Sequence, residues 1–177
     1  MLFTDRSLWT MIHGIVLGGI ALMALFAALV SMSTVRTAEG PYGATEGQSR
    51  SVARLTVLIA LVLWLGVLVG TYVIFPPYRA TPPEGGTDLS QYPRSLLLAS
   101  PDTAWLHAFA MESKEHMPWI AVMLATAVAF VGVRYRSTLL MNAQLRNMAM
   151  TLLAICFALV SFVALMGVFV NKVAPLQ

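Results

Sequence analysis

The sequence has little charge for its length. Of its 177 residues, 11% are charged and 58% are hydrophobic, whereas soluble domains carry about 25% charged and about 45–50% apolar residues. This composition excludes an ordinary water-soluble domain and favours a chain that lies in lipid. The 11 basic residues form no run, so the net charge of +3 gives no sign of nucleic-acid binding.

Cysteine is almost absent as well. Cys156 is the only one, which excludes an intramolecular disulfide and leaves the compartment undetermined by cysteine usage. We interpret it as a small buried apolar residue. Nucleotide-binding loops, zinc-protease motifs, nucleophile elbows and paired cysteines are also missing. An electron-transfer or accessory subunit is therefore favoured over a stand-alone enzyme.

Long apolar runs are what the sequence does have. About 20 apolar residues cross a bilayer core, and four stretches meet that length, at about residues 8–32, 55–75, 117–133 and 147–170. Ser100-Pro101-Asp102 is typical of a helix start, so the third helix is expected over about 102–133, with a kink or break at Pro118. We predict an all-α integral membrane protein, a single four-helix bundle over residues 1–177.

The connections predict how this bundle lies in the membrane. Residues 76–101 contain six prolines and cannot form one continuous helix, so they are expected to form a long loop. The side that holds the first and third loops has more basic than acidic residues, which indicates the cytoplasm. We therefore expect both termini and the Pro-rich loop outside, in a multi-pass protein of the cell (inner) membrane. The basic residues on the cytoplasmic side are Arg36, Arg50, Arg54, Arg134, Arg136 and Arg146, with the acids Glu39 and Glu46.

Three histidines are the candidates for chemistry, because an ionisable residue in a membrane span is costly and commonly functional. His13 lies in the first span, His116 at the start of the third, and His107 on the helical extension before it. Positions 107 and 116 are nine residues apart, about 900° of rotation, and so lie on nearly opposite faces of a straight helix. One site can therefore take only one of these two.

The leading hypothesis is b-type haem, whose iron takes axial histidines from facing helices. We predict His13 and His116 as iron ligands, with His107 as the alternative to His116. Gly14 and Gly18 would leave room for the porphyrin. Arg79 and Arg94 would pair with its propionates. The outline resembles that of small membrane b-type cytochromes of respiratory chains, and it implies electron transfer near the outer face, to or from a quinone or another membrane or periplasmic redox subunit.

Other interpretations remain open at the level of sequence. Gly14 and Gly18, like Gly66 and Gly70, form GxxxG pairs that commonly mark close helix packing. Methionines near the three histidines would suit copper. A third possibility is a cofactor-free structural or assembly subunit of a larger membrane complex, held there by its Pro-rich loop. The methionines in question are Met11, Met111 and Met117.

Overall fold

A computed structural model describes residues 4–35 and 45–175 of the chain. Arg36 and Glu39, which contribute to the predicted charge bias, lie outside the described residues. We number the helices in chain order. They are α1 (Asp5–Ser33), α2 (Glu46–Arg79), α3 (Pro93–Leu98), α4 (Pro101–Arg134), α5 (Arg136–Met141) and α6 (Ala143–Val173).

The helices begin where side chains can satisfy free backbone N–H groups. Thr4 and Thr45 each form a capping box, with Ser7 and Gln48 respectively. Ser100 caps α4 and is followed by Pro101, which has no N–H to leave unsatisfied. These local signals account for the start of α1, α2 and α4.

Four helices of the described residues, α1, α2, α4 and α6, are long and apolar enough to cross a membrane. This confirms the prediction of four apolar helices. Only about 30% of each apolar stretch is buried inside the protein. Large apolar side chains such as Ile15, Phe26 and Phe130 point outward, each more than 60% exposed. Lipid can cover that surface, as in a multi-pass membrane protein.

The four long helices run alternately up and down. α1 packs against α2 and α6, and α4 packs against the same two helices from the other side. Small residues permit this close packing: Gly132 of α4 lies against Thr56 of α2, and Cys156 of α6 donates its S–H to the carbonyl of Ala121 at 3.3 Å. We call the end of the bundle that holds all three histidines the histidine end, and the opposite end the arginine end.

The Pro-rich segment differs from a simple loop. α2 continues through Pro76 and Pro77 to Arg79, and only residues 80–92 are free of helix before α3 begins. A π-helical stretch directly before these prolines already disrupts the regular hydrogen-bond ladder, so they remove little more. α3 then returns to the bundle, where its Leu97 is fully buried. α4 is likewise continuous through Pro118.

Candidate functional site

The histidine end departs from regular helix geometry in three places. Within the described chain, π-helical segments occur at Ile12–Leu17 of α1, Gly70–Ile74 of α2 and Leu106–Met111 of α4. The first carries His13 and the third carries His107. Short π-helical stretches are frequent at functional sites, because the extra residue re-aims side chains that a regular helix would place elsewhere.

His13 is packed between α1 and α2. A Cβ added to Gly70 would lie 3.0 Å from Cε1 of the His13 ring, so the absence of a side chain at Gly70 makes room for the imidazole. Nδ1 of His13 is buried and has no hydrogen-bond partner in the described residues. Buried polar atoms are usually satisfied, so this nitrogen is available to a ligand or a water molecule.

Lys114 is a second polar side chain inside the bundle. Its Nζ lies 3.1 Å from where a Cβ on Gly167 of α6 would be. It is close enough to His13 to act on it electrostatically. No carboxylate in residues 4–35 or 45–175 lies within 4.0 Å of it. A lysine amine and an imidazole therefore share the interior of an apolar bundle, which makes this pair a candidate functional site.

His107 is held by a tyrosine that the sequence did not single out as its partner. The hydroxyl of Tyr78, at the end of α2, is hydrogen-bonded to Nδ1 of His107 at 2.8 Å. Tyr78 is buried with only 3% of its surface exposed, and His107 is partly buried beside it. The bond fixes the orientation of the imidazole and leaves its Nε2 atom unengaged by Tyr78.

Charged side chains surround this Tyr78–His107 pair. Nη2 of Arg79 lies 3.8 Å from Oε2 of Glu115. Arg94 and Glu115 are both near enough to Tyr78 to act on it electrostatically. Nε of Arg94 and Oε1 of Glu115 are buried without a hydrogen-bond partner in the described residues. The histidine end thus holds three such atoms, on His13, Arg94 and Glu115, and each can still bind a polar group.

His116 faces away from this interior. It is exposed, and its Nδ1–H donates to the backbone carbonyl of Glu112 in its own helix at 2.8 Å. Lys114 points inward, and His116 follows two residues later, about 200° further around the helix. The structure therefore does not bring His116 together with His13, the pairing expected from sequence, and it turns His107 inward instead.

His13 and His107 also differ in depth. His13 lies opposite Gly70, and His107 bonds to Tyr78, eight residues further along α2. A regular helix rises about 1.5 Å per residue, so these two positions on α2 lie about 12 Å apart along the helix axis. The two imidazoles therefore contact α2 at different levels, which argues against their being the two axial ligands of one haem.

The remaining predicted site residues are placed as follows. A Cβ on Gly14 would meet no heavy atom within 4 Å, and one on Gly18 would meet only the His13 carbonyl of its own helix at 3.6 Å. Both glycines therefore lie beside open space, as Gly66 does, and only Gly70 of the two GxxxG pairs is in close contact. Arg79 and Arg94 both lie beside the Tyr78–His107 pair.

Sequence reasoning missed Tyr78, Lys114, Gly70 and Gly167 as parts of the site. One signal was present: His107 and Lys114 are seven residues apart, a spacing that places two residues on one face of a regular helix. The partners of these side chains on α2 and α6 depend on helix packing, which the sequence pattern does not give.

The fold and the site define a class, a multi-pass helical membrane bundle with a polar cluster inside one end. No three His, Cys, Asp or Glu side chains of the described chain converge as metal ligands. Comparison with protein-family models, curated proteins and solved structures found no match to this chain.

Proposed function

We propose that this protein is an electron-transfer subunit that binds b-type haem at the histidine end through His107. The observation that carries the proposal is the 2.8 Å hydrogen bond between Tyr78 and Nδ1 of His107. When Nδ1 carries the proton and donates it to the tyrosine oxygen, Nε2 keeps a lone pair for iron. A ligating histidine is commonly held in this way through its other ring nitrogen.

The arginines near His107 have the chemistry that the propionates of a haem require. Arg94 lies near Tyr78, and its buried Nε atom has no hydrogen-bond partner among the described residues. An arginine there can bind a propionate carboxylate. Arg79 is partly engaged by Glu115 at 3.8 Å, a distance long enough to let it turn to a second carboxylate. Apolar side chains pack beneath the pair, namely Leu97, Leu106, Met111, Met166 and Val170. Bound haem would supply one-electron oxidation and reduction.

Of the three histidines, only His107 would bind this haem. His13 and His107 contact α2 at positions about 12 Å apart along its axis, which supports separate roles for them. The exposure of His116 and its bond to its own helix support a role for it outside the site. This revises the expected His13–His116 pair, and it keeps the predicted arginines as propionate partners.

Removal of each histidine tests the proposal. We expect His107→Ala to abolish the haem absorbance bands of the purified protein and His116→Ala to keep them. His13→Ala is the matched control within the bundle, since it removes a buried imidazole at another depth and should retain haem. Bands that survive in His107→Ala but vanish in His116→Ala would contradict the assignment. A wild-type protein without bands would favour the cofactor-free structural subunit.

A quinone headgroup is a second candidate ligand, favoured by the His13–Lys114 pair. Nδ1 of His13, which has no hydrogen-bond partner among the described residues, and the amine of Lys114 both lie inside the apolar bundle. A quinone has two carbonyl oxygens that accept hydrogen bonds from such N–H groups. Reduction of the haem by a quinol should then be lost in Lys114→Met while the haem content is unchanged. If quinol reduces the haem at equal rates in Lys114→Met and wild type, Lys114 has no part in quinone binding.

We further propose that the histidine end faces the outside of the cell membrane. Among the described residues, the arginine end carries Arg50, Arg54, Arg134, Arg136 and Arg146 with Glu46 as its acid. The positive-inside rule then supports a cytoplasmic arginine end. In this orientation the haem would exchange electrons with partners on the periplasmic side.

A further inference from the structure

A cleft at the arginine end has no part in the proposed electron transfer. It has a volume of about 420 Å³ and lies where α2 begins and α4 ends. Three arginines and three apolar residues line it, namely Arg50, Arg54, Arg136, Ala53, Val57 and Val133.

The charges of this cleft are unbalanced. Oε1 of Glu46 pairs with Nη2 of Arg136 at 2.8 Å and with Nε of Arg50 at 3.2 Å. Arg54 has no carboxylate within 4.0 Å in the described chain. Among the described residues, three guanidinium groups meet one carboxylate, and each guanidinium has five N–H donors of which Glu46 engages few. The described part of the cleft therefore has an excess of two positive charges that can attract an anion.

The apolar part of the cleft points to an anion that carries a hydrocarbon chain. Val133 is 60% exposed although it is apolar, and Val57 lies beside it on α2. Both stand at the boundary where the charged ends of α2 and α4 give way to their apolar stretches. A free phosphate would use the arginines alone, whereas a phospholipid would use both halves of the cleft.

We propose that this cleft binds the headgroup of an anionic phospholipid. Its phosphate contacts Arg54 and the free N–H groups of Arg50 and Arg136, and its acyl chain lies along Val57 and Val133. Guanidinium groups match phosphate geometry with paired hydrogen bonds. Basic pockets between membrane helices are the sites at which such lipid headgroups are recognised. The assignment does not depend on haem or on which end faces the cytoplasm.

Delipidated full-length protein in neutral detergent allows a direct test, with phosphatidylglycerol as the probe and phosphatidylcholine as its neutral counterpart. We expect phosphatidylglycerol to raise the unfolding midpoint and to appear as bound lipid in native mass spectrometry. Arg54→Gln should weaken its binding about fivefold, the size expected for one basic side chain at a membrane surface. Arg134→Gln is the matched control, because Arg134 lies at the same end but stacks on Tyr135 with its Cζ 5.4 Å from the ring centroid, outside the cleft.

Glu46→Gln should change the affinity for phosphatidylglycerol in the opposite direction from Arg54→Gln. It removes the acid that competes for Arg50 and Arg136, so phosphatidylglycerol should bind more tightly than in wild type. Equal binding by Arg54→Gln and Arg134→Gln would overturn the proposal, and so would equal effects of the two lipids on wild type. A midpoint shift reproduced in full by inorganic phosphate would overturn the assignment to a lipid.

Discussion

Single atoms decide how His107 can act. The hydroxyl of Tyr78 holds Nδ1 at 2.8 Å, and this contact would orient Nε2 toward the iron of the proposed haem. Removal of a partner that orients a metal ligand typically lowers metal affinity about 10–100-fold. We therefore expect Tyr78→Phe to retain the fold but to lose haem affinity in that range, as measured by haem titration of the apoprotein.

Tyr72→Phe is the control for that substitution. Tyr72 lies on the same helix but is 70% exposed, so the loss of its hydroxyl should leave the haem titration unchanged. Equal affinities in Tyr78→Phe and wild type would show that the tyrosine does not position the ligand.

Gly66 and Gly70 lie about one turn apart on α2, so they provide a matched pair of single-residue substitutions. A Cβ on Gly70 would press on the His13 ring at 3.0 Å, whereas one on Gly66 would meet nothing within 4 Å. Overpacking of this kind costs about 1–3 kcal/mol, and Gly→Ala without a clash favours a helix by about 1 kcal/mol. Gly70→Ala should therefore lower the free energy of unfolding, and Gly66→Ala should hold or raise it, in denaturant titrations of the detergent-solubilised protein. If Gly66→Ala lowers the free energy of unfolding and Gly70→Ala does not, His13 is not packed against Gly70.

At the scale of helices, the contact between α2 and α4 depends on a glycine near the arginine end. A Cβ on Gly132 would lie 2.7 Å from Oγ1 of Thr56, a residue that is 1% exposed. Gly132→Ala should separate the two helices locally and destabilise the protein by about 1–3 kcal/mol. Thr56→Ala removes the clashing oxygen, so the double variant should recover most of that loss in a double-mutant cycle. Additive losses in the double variant would show that the two residues do not touch.

The sequence predicted the four long helices but not their irregular segments. Uninterrupted apolar runs gave the four long helices, and Ser100-Pro101 gave the start of α4. The π-helical segments and the passage of α2 through Pro76 and Pro77 were not predictable, because one extra residue per turn leaves no periodic signal. The nine-residue spacing did place His107 and His116 on different faces, but only the packing of α4 shows that His107 is the inward one.

At the scale of the whole molecule, the orientation of the bundle can be measured with single cysteines. Ser90, in the segment between α2 and α3, and Thr138, in α5, are both exposed and belong to opposite ends. Ser90→Cys should react with a membrane-impermeant thiol reagent in intact cells, and Thr138→Cys should react only after lysis. Cys156 is fully buried, so unmodified protein is the control for background labelling. Labelling of Thr138→Cys alone in intact cells would reverse the proposed orientation.

A reduced-minus-oxidised absorbance spectrum shows whether the polar cluster at the histidine end binds haem. We expect the protein purified from cells supplied with haem to have an α-band of b type that is absent from His107→Ala. If folded wild-type protein made with haem in excess has no such band, the haem proposal is wrong.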